Sequence, residues 1–131
     1  MRNILILGAG TAGTIMANKL LKSLNNIEWK ITLVDNDAVH YYQPGFLFIP
    51  FGIYNKKDVI KQKKDFISKG IELIYGTISL VKPGEKEVLL EDGTRLEYDY
   101  LIIATGAKLA PEETPGLIDK LWNKEIFEFL M

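Results

Sequence analysis

Six residues near the start, Gly8-Ala9-Gly10-Thr11-Ala12-Gly13, constrain this chain more than any other feature. They fit G-x-G-x-x-G, and their surroundings give the pattern meaning. Ile4-Leu5-Ile6-Leu7 before them is an unbroken apolar run, as in a strand buried on both faces of a parallel sheet. After them, from Ala12 to Ser23, the spacing of Ile15, Met16, Leu20, Leu21 and Leu24 is helical, with Lys19 and Lys22 on the other side. A second strand runs from Trp29 to Val34, and Asp35 stands at its end, 22 residues beyond Gly13. These pieces make one right-handed βαβ unit over residues 2–35.

Each glycine has a task in such a unit. Gly8 allows the tight turn off the strand. Gly10 lets the backbone come close to a pyrophosphate, and Gly13 lets the helix pack closely on the strand. The helix then directs its free N–H groups and positive dipole end at the phosphates. Asp35 is placed to accept hydrogen bonds from ribose hydroxyls, and its charge disfavours a 2′-phosphate. The expectation is a site for the ADP half of a dinucleotide, with NADP disfavoured.

Beyond Asp35 the pattern predicts an aromatic connection over 36–55 and a polar helix over 57–68, ended by Gly70. A third parallel strand is expected at Ile71–Tyr75. Three short strands follow, Thr77–Lys82, Glu87–Leu90 and Arg95–Glu97, joined at the turn signals Pro83-Gly84 and Asp92-Gly93. Leu101-Ile102-Ile103-Ala104 returns to the buried-strand style. The predicted fold is therefore α/β, a Rossmann-like parallel sheet plus a three-stranded antiparallel meander, as one domain over 1–131.

Composition closes off other classes. Sixteen basic and seventeen acidic residues leave a net charge of −1, which does not suit a nucleic-acid binder. The one basic cluster, Lys56-Lys57 and Lys61 to Lys64, contains Asp58 and borders Asp65, and reads as a solvated helix face. There is no cysteine, so disulfides, thiolate metal sites and cysteine nucleophiles are ruled out for these residues. No metal site and no catalytic residue is assigned. The four apolar residues before Gly8 are too few for a signal peptide or a membrane span, and the expected compartment is the cytoplasm.

The meander, in place of further alternating strands and helices, turns the expectation from NAD toward FAD. With it come His40-Tyr41-Tyr42-Gln43-Pro44-Gly45, Ala104-Thr105-Gly106 and Thr114-Pro115-Gly116. Together these features resemble the amino-terminal part of flavoproteins with two dinucleotide-binding domains, most of all the sulfide:quinone oxidoreductases and flavocytochrome c sulfide dehydrogenases. The glycine loop and the Ala-Thr-Gly turn belong to that whole superfamily, and residues 39–52 carry the narrower resemblance. It implies FAD as cofactor, held by Gly8, Gly10, Thr11, Ala12, Gly13, Asp35, Asn36, Pro44, Ile78, Ala104, Thr105 and Gly106. It also implies an oxidoreductase whose complete form adds a second dinucleotide-type domain, redox-active cysteines and a region that meets quinone and membrane. The expectation is a truncated flavoprotein, inactive by itself. Another family flavoenzyme, such as a type II NADH dehydrogenase, and a non-catalytic nucleotide-binding module remain as alternatives.

Three further features are open to two readings. His40 is the one histidine and, without a second titrating group in view, reads as structural. Tyr41, Tyr42 and Pro44 either line the isoalloxazine edge or pack their own loop. Phe46-Leu47-Phe48-Ile49-Pro50-Phe51 is very apolar for a connection and, with Trp122, Ile126, Phe127, Phe129 and Leu130, predicts self-association.

Overall fold

The structure is a computed structural model and describes residues 1–108 and 110–113. The Thr114-Pro115-Gly116 turn and the apolar residues from Trp122 to Leu130 lie outside the described residues. Two compact units are present. The first comprises Met1–His40 and Gln62–Gly106; the second comprises Tyr41–Lys61 and the described residues after Gly106.

Strand β1 (Arg2–Leu7) is an inner strand of the first unit. It pairs in parallel with β2 (Trp29–Asp35) on one side, Ile4 opposite Ile31 and Leu7 opposite Val34. On the other side it pairs in parallel with the last strand of the sheet, Tyr100–Ile103. The strand Ile71–Tyr75 adds to the far edge of β2. Four parallel strands thus stand where the apolar runs predict them. Asp99 ties the start of β1 to the start of Tyr100–Ile103: Asn3 N–H donates to its Oδ2 at 2.7 Å, and its own N–H donates to Asn3 O at 2.9 Å.

Side chains alternate across this sheet, as strand geometry requires. Ile4, Ile6, Ile31 and Leu33 face helix α1 (Thr11–Ser23). Leu5, Leu7 and Val34 face the other way, onto Val88, Leu90 and Tyr98. The latter group comes mainly from the meander, which forms its own antiparallel sheet from Ile78–Lys82, Glu87–Leu90 and Arg95–Glu97, with a register shift between Ile78 and Leu80. The helix differs from expectation in its buried stripe. Gly13 and Ala17 are its buried residues, whereas Ile15 and Met16 are 51% and 41% exposed. Small residues four apart let the helix axis approach the sheet, and Leu20, Leu21 and Leu24 complete the contact at its far end.

The helix expected over 57–68 is the clearest correction. Only one turn forms, α2 (Lys56–Val59). Asn55 starts it by accepting from Lys57 N–H at 2.9 Å, while Asp58 reaches back to Asn55 N–H at 2.8 Å. The β-branched pair Val59-Ile60 then leaves the helix, and Ile60–Gln62 becomes a strand paired with Val39–Tyr41. Lys63–Phe66 is a 3₁₀ turn. Tertiary hydrogen bonds hold this stretch against α1: Asn18 Nδ2 donates to Phe66 O at 2.8 Å, and Ser68 N–H donates to Asn18 Oδ1 at 3.0 Å. A polar helix with no continuous apolar face has little to set against such bonds.

In the second unit, Gln43–Phe48 is a 3₁₀ turn with Pro44 near its start. Tyr42, Tyr54 and Val59 crowd around the buried Gly45, and Phe48 meets Tyr54 edge-on with ring centroids 5.5 Å apart. Leu47, Phe51 and Ile53 are well exposed. Among the described residues no helix is long and apolar enough to cross a membrane.

Candidate functional site

The glycine loop leaves β1 at its carboxyl end, the side on which open parallel sheets take their ligands. Gly8 has φ +98°, which an L side chain rarely adopts, and a Cβ there would strike Ala104 O and Thr105 Cα. The Ala104-Thr105-Gly106 turn is therefore the backstop of the loop. Ala104 N–H donates to Leu7 O at 2.7 Å, which fixes that backstop to β1. At Gly13 a Cβ would drive into the carbonyl of Gly8, so the helix can lie this close to the turn only with glycine there.

Gly10 is different. It is the N-cap of α1 with ordinary extended backbone, and among the described residues, its chain neighbours aside, nothing lies within 4 Å of where its Cβ would be. The space in front of it is open. Thr11 and Ala12, the first residues of α1, are exposed beside it, and no acidic residue occupies the first turn. Among the described residues the amides of Thr11 and Ala12 have no hydrogen-bond partner. An unfilled cradle before a row of unsatisfied N–H groups fits a diphosphate, both sterically and in charge.

Asp35 closes the site from below the loop. Its Oδ2 accepts from Ala9 N–H at 2.6 Å, and its Oδ1 accepts from Asp37 N–H at 2.9 Å and from Lys63 Nζ at 2.8 Å. Both side chains of the ion pair are nearly buried, 11% exposed for Asp35 and 10% for Lys63. Burial by itself pushes the Asp35 carboxyl up. The Lys63 ammonium and the two amides outweigh it, and the group is held below the usual carboxylate range. Lys63 is thus the member of the basic cluster that is not solvated, contrary to the helix-face reading. Thr14 adds a further tie, its Oγ1 donating to Ala9 O at 3.1 Å. Lys63 and Thr14 escape a sequence reading because neither stands in the glycine motif, and Lys63 is hidden among four other nearby lysines.

Other expected site residues fall in different surroundings. Asn36 is exposed next to Asp35. Ile78 opens the first meander strand and packs on the Leu5–Val34–Val88 cluster. Pro44 belongs to the second unit. His40 lies with its ring 5.2 Å from that of Phe66, on the wall of a cleft of about 160 Å³ shared with Ala9, Thr11, Thr14, Ile15 and Lys63. A larger cleft of about 420 Å³ lies at the amino-terminal ends of β1 and β2, among Asn3, Lys30, Thr32, Glu72, Glu87 and Arg95. None of the expected cofactor residues lines it, and the strand ends there are the wrong ones for a ligand in this architecture.

A parallel sheet whose first strand ends in a glycine loop, whose helix start is bare and whose second strand ends in a carboxylate is a dinucleotide-binding domain of the Rossmann-like class. With a meander on the face opposite α1, it takes the form seen in flavoproteins. The chain belongs to the pyridine nucleotide-disulphide oxidoreductase family, whose profile matches residues 2–129. This is a family of FAD-binding flavoproteins. Among curated proteins the chain is 36% identical over 118 residues to the mitochondrial sulfide:quinone oxidoreductase of Dictyostelium discoideum, covering 90% of this chain and 26% of that one. It is 34% identical over 130 residues to apoptosis-inducing factor homolog A of the same organism, covering 98% of this chain and 29% of the relative. The crystal structure of the sulfide:quinone oxidoreductase from Aquifex aeolicus superposes with a TM-score of 0.72 at 27% identity, over 84% of this chain and 25% of that one. The chain therefore spans about a quarter of the length of these relatives.

Proposed function

We propose that this chain is the FAD-binding portion of a sulfide:quinone oxidoreductase-type flavoprotein, a partial domain whose own task is to hold the ADP half of FAD. One observation carries the reading: the open space at Gly10, set before the amides of Thr11 and Ala12, which have no partner among the described residues. Gly8 and Gly13 hold the loop, Ala104 to Gly106 support it from behind, and Asp35 anchors the loop at Ala9. Asn36, Pro44 and Ile78 complete the proposed set of cofactor contacts. The identity to the Dictyostelium enzyme supports the sulfide:quinone assignment for the complete protein. In that protein FAD supplies the two-electron redox chemistry, while quinone and a membrane surface lie on parts beyond these residues. The proposed location is cytoplasmic, with the whole protein peripheral to a membrane. Exposed Leu47, Phe51 and Ile53 support self-association of this chain.

Calorimetric titration with FAD, ADP and riboflavin tests the reading. FAD and ADP should bind and riboflavin, which lacks the adenosine diphosphate, should not. Riboflavin binding as tightly as ADP would overturn it.

A further inference from the structure

The carboxylate at the end of β2 is already heavily committed. An ionised carboxylate offers about four lone-pair directions, and three protein donors occupy Asp35: the amides of Ala9 and Asp37 and the ammonium of Lys63. One direction remains, on Oδ2, for a ribose that presents two vicinal hydroxyls. Lys63 has the complementary surplus. Its ammonium carries three N–H groups, and Asp35 Oδ1 is the one side-chain partner it has among the described residues. Lys63 also lines the cleft shared with Ala9, Thr11 and Thr14, whereas Asp35 does not.

We infer that Lys63 is a specificity residue for the adenosine ribose, donating a charged hydrogen bond to one ribose hydroxyl oxygen while Asp35 accepts from the other. This rests on the adenosine-diphosphate reading of the loop. The diphosphate itself is served elsewhere, by the bare amides at the start of α1, and Lys63 is fixed instead to the residue at the ribose end. The Asn18 bonds to Phe66 and Ser68 hold the 3₁₀ turn on α1 and so keep the ammonium at this spot.

The test compares ADP with 2′,3′-dideoxy-ADP by calorimetry, on the parent chain, on Lys63→Met and on Asp35→Asn/Lys63→Met. The double variant removes both charges together, so that no buried charge is left unpaired if the single variant folds poorly. The parent should prefer ADP by tenfold or more, about the value of a charged hydrogen bond. In Lys63→Met that preference should fall by at least about threefold, since Asp35 still accepts from one hydroxyl, and in the double variant it should fall further, with dideoxy-ADP affinity changed little in both. A preference that Lys63→Met leaves unchanged overturns the inference and leaves the loop reading standing. Equal losses for both ligands also overturn it, since Lys63 then serves the phosphates or the fold. A parent chain that binds neither ligand removes the loop reading, and this inference with it.

Discussion

Replacing Gly10 by valine should separate binding from folding. The backbone at Gly10 is extended, at φ −72° and ψ −166°, a region any residue adopts. Among the described residues, chain neighbours aside, no atom lies within 4 Å of the added Cβ, so the substitution meets no clash there. Two small effects on stability oppose each other. An apolar residue is a poorer N-cap than glycine by several tenths of a kcal/mol, and loss of glycine's freedom in the unfolded chain returns about 0.4–1 kcal/mol. The net change should stay within about 1 kcal/mol, or a few degrees in Tm for a chain of this size. The ligand has no such latitude. The branched side chain fills the space where a diphosphate must approach the amides of Thr11 and Ala12, and the loss of two or more charged hydrogen bonds should weaken ADP by at least about a hundredfold. Thermal melting by circular dichroism and calorimetric titration with ADP and FAD give the two numbers side by side. A valine variant that melts like the parent and binds as tightly would refute the loop assignment. One that loses several kcal/mol of stability would refute the reasoning about open space.

Gly13→Ala should do the reverse and lower stability by about 2–3 kcal/mol, because its Cβ cannot enter without moving the Gly8 carbonyl; denaturant unfolding measures this, and an unchanged midpoint would contradict it. Asp35→Ala should weaken ADP by about 1–3 kcal/mol while also destabilising the loop, since Ala9 N–H and a nearly buried Lys63 lose their acceptor. The folded Asp35 carboxyl lies below its unfolded value of 3.8, so its contribution to stability is complete above that pH and is lost as pH falls through the folded value. An acid titration of unfolding free energy should therefore have a shallower acid limb in Asp35→Asn than in the parent, and identical limbs would reject the ion pair's role. FAD-loaded chain should show no sulfide-dependent quinone reduction, because no cysteine is present to carry a sulfur intermediate; measurable turnover would overturn this. Sedimentation over a dilution series should reveal concentration-dependent association, and a strict monomer at all concentrations would reject it.

The parallel strands, the meander and the glycine loop were legible in the sequence because each is written locally. Apolar runs, turn dipeptides and glycine spacing depend on neighbours within a few residues. What stayed hidden depends on distant partners. Lys63 looks like its neighbours Lys61 and Lys64 until the fold brings Asp35 within 2.8 Å of it, from 28 positions away. The same long-range bonding dissolves the helix expected over 57–68. The exposure of Ile15 and Met16 has another cause, for close helix–sheet contact selects the small residues Gly13 and Ala17, which hydrophobicity alone ranks lower. At Gly8 the turn was readable from the motif, but its crowding against Ala104 was not.

That crowding bears on how the molecule comes into being. β1 precedes β2 in the chain yet sits between β2 and Tyr100–Ile103, the latest strand among the described residues, and Asn3 meets Asp99 across 96 residues. The βαβ portion can close early on local contacts, but the second neighbour of β1 arrives only when Tyr100–Ile103 is available, a closure that topology makes slow. Until Ala104 docks on Leu7, one wall of the turn at Gly8 is missing. A nascent or proteolysed chain ending before residue 104 would carry every glycine of the motif and still lack the finished cradle. Acquisition of the nucleotide should therefore be a late event in folding, and ligand added during refolding should accelerate none of the steps before that strand is in place.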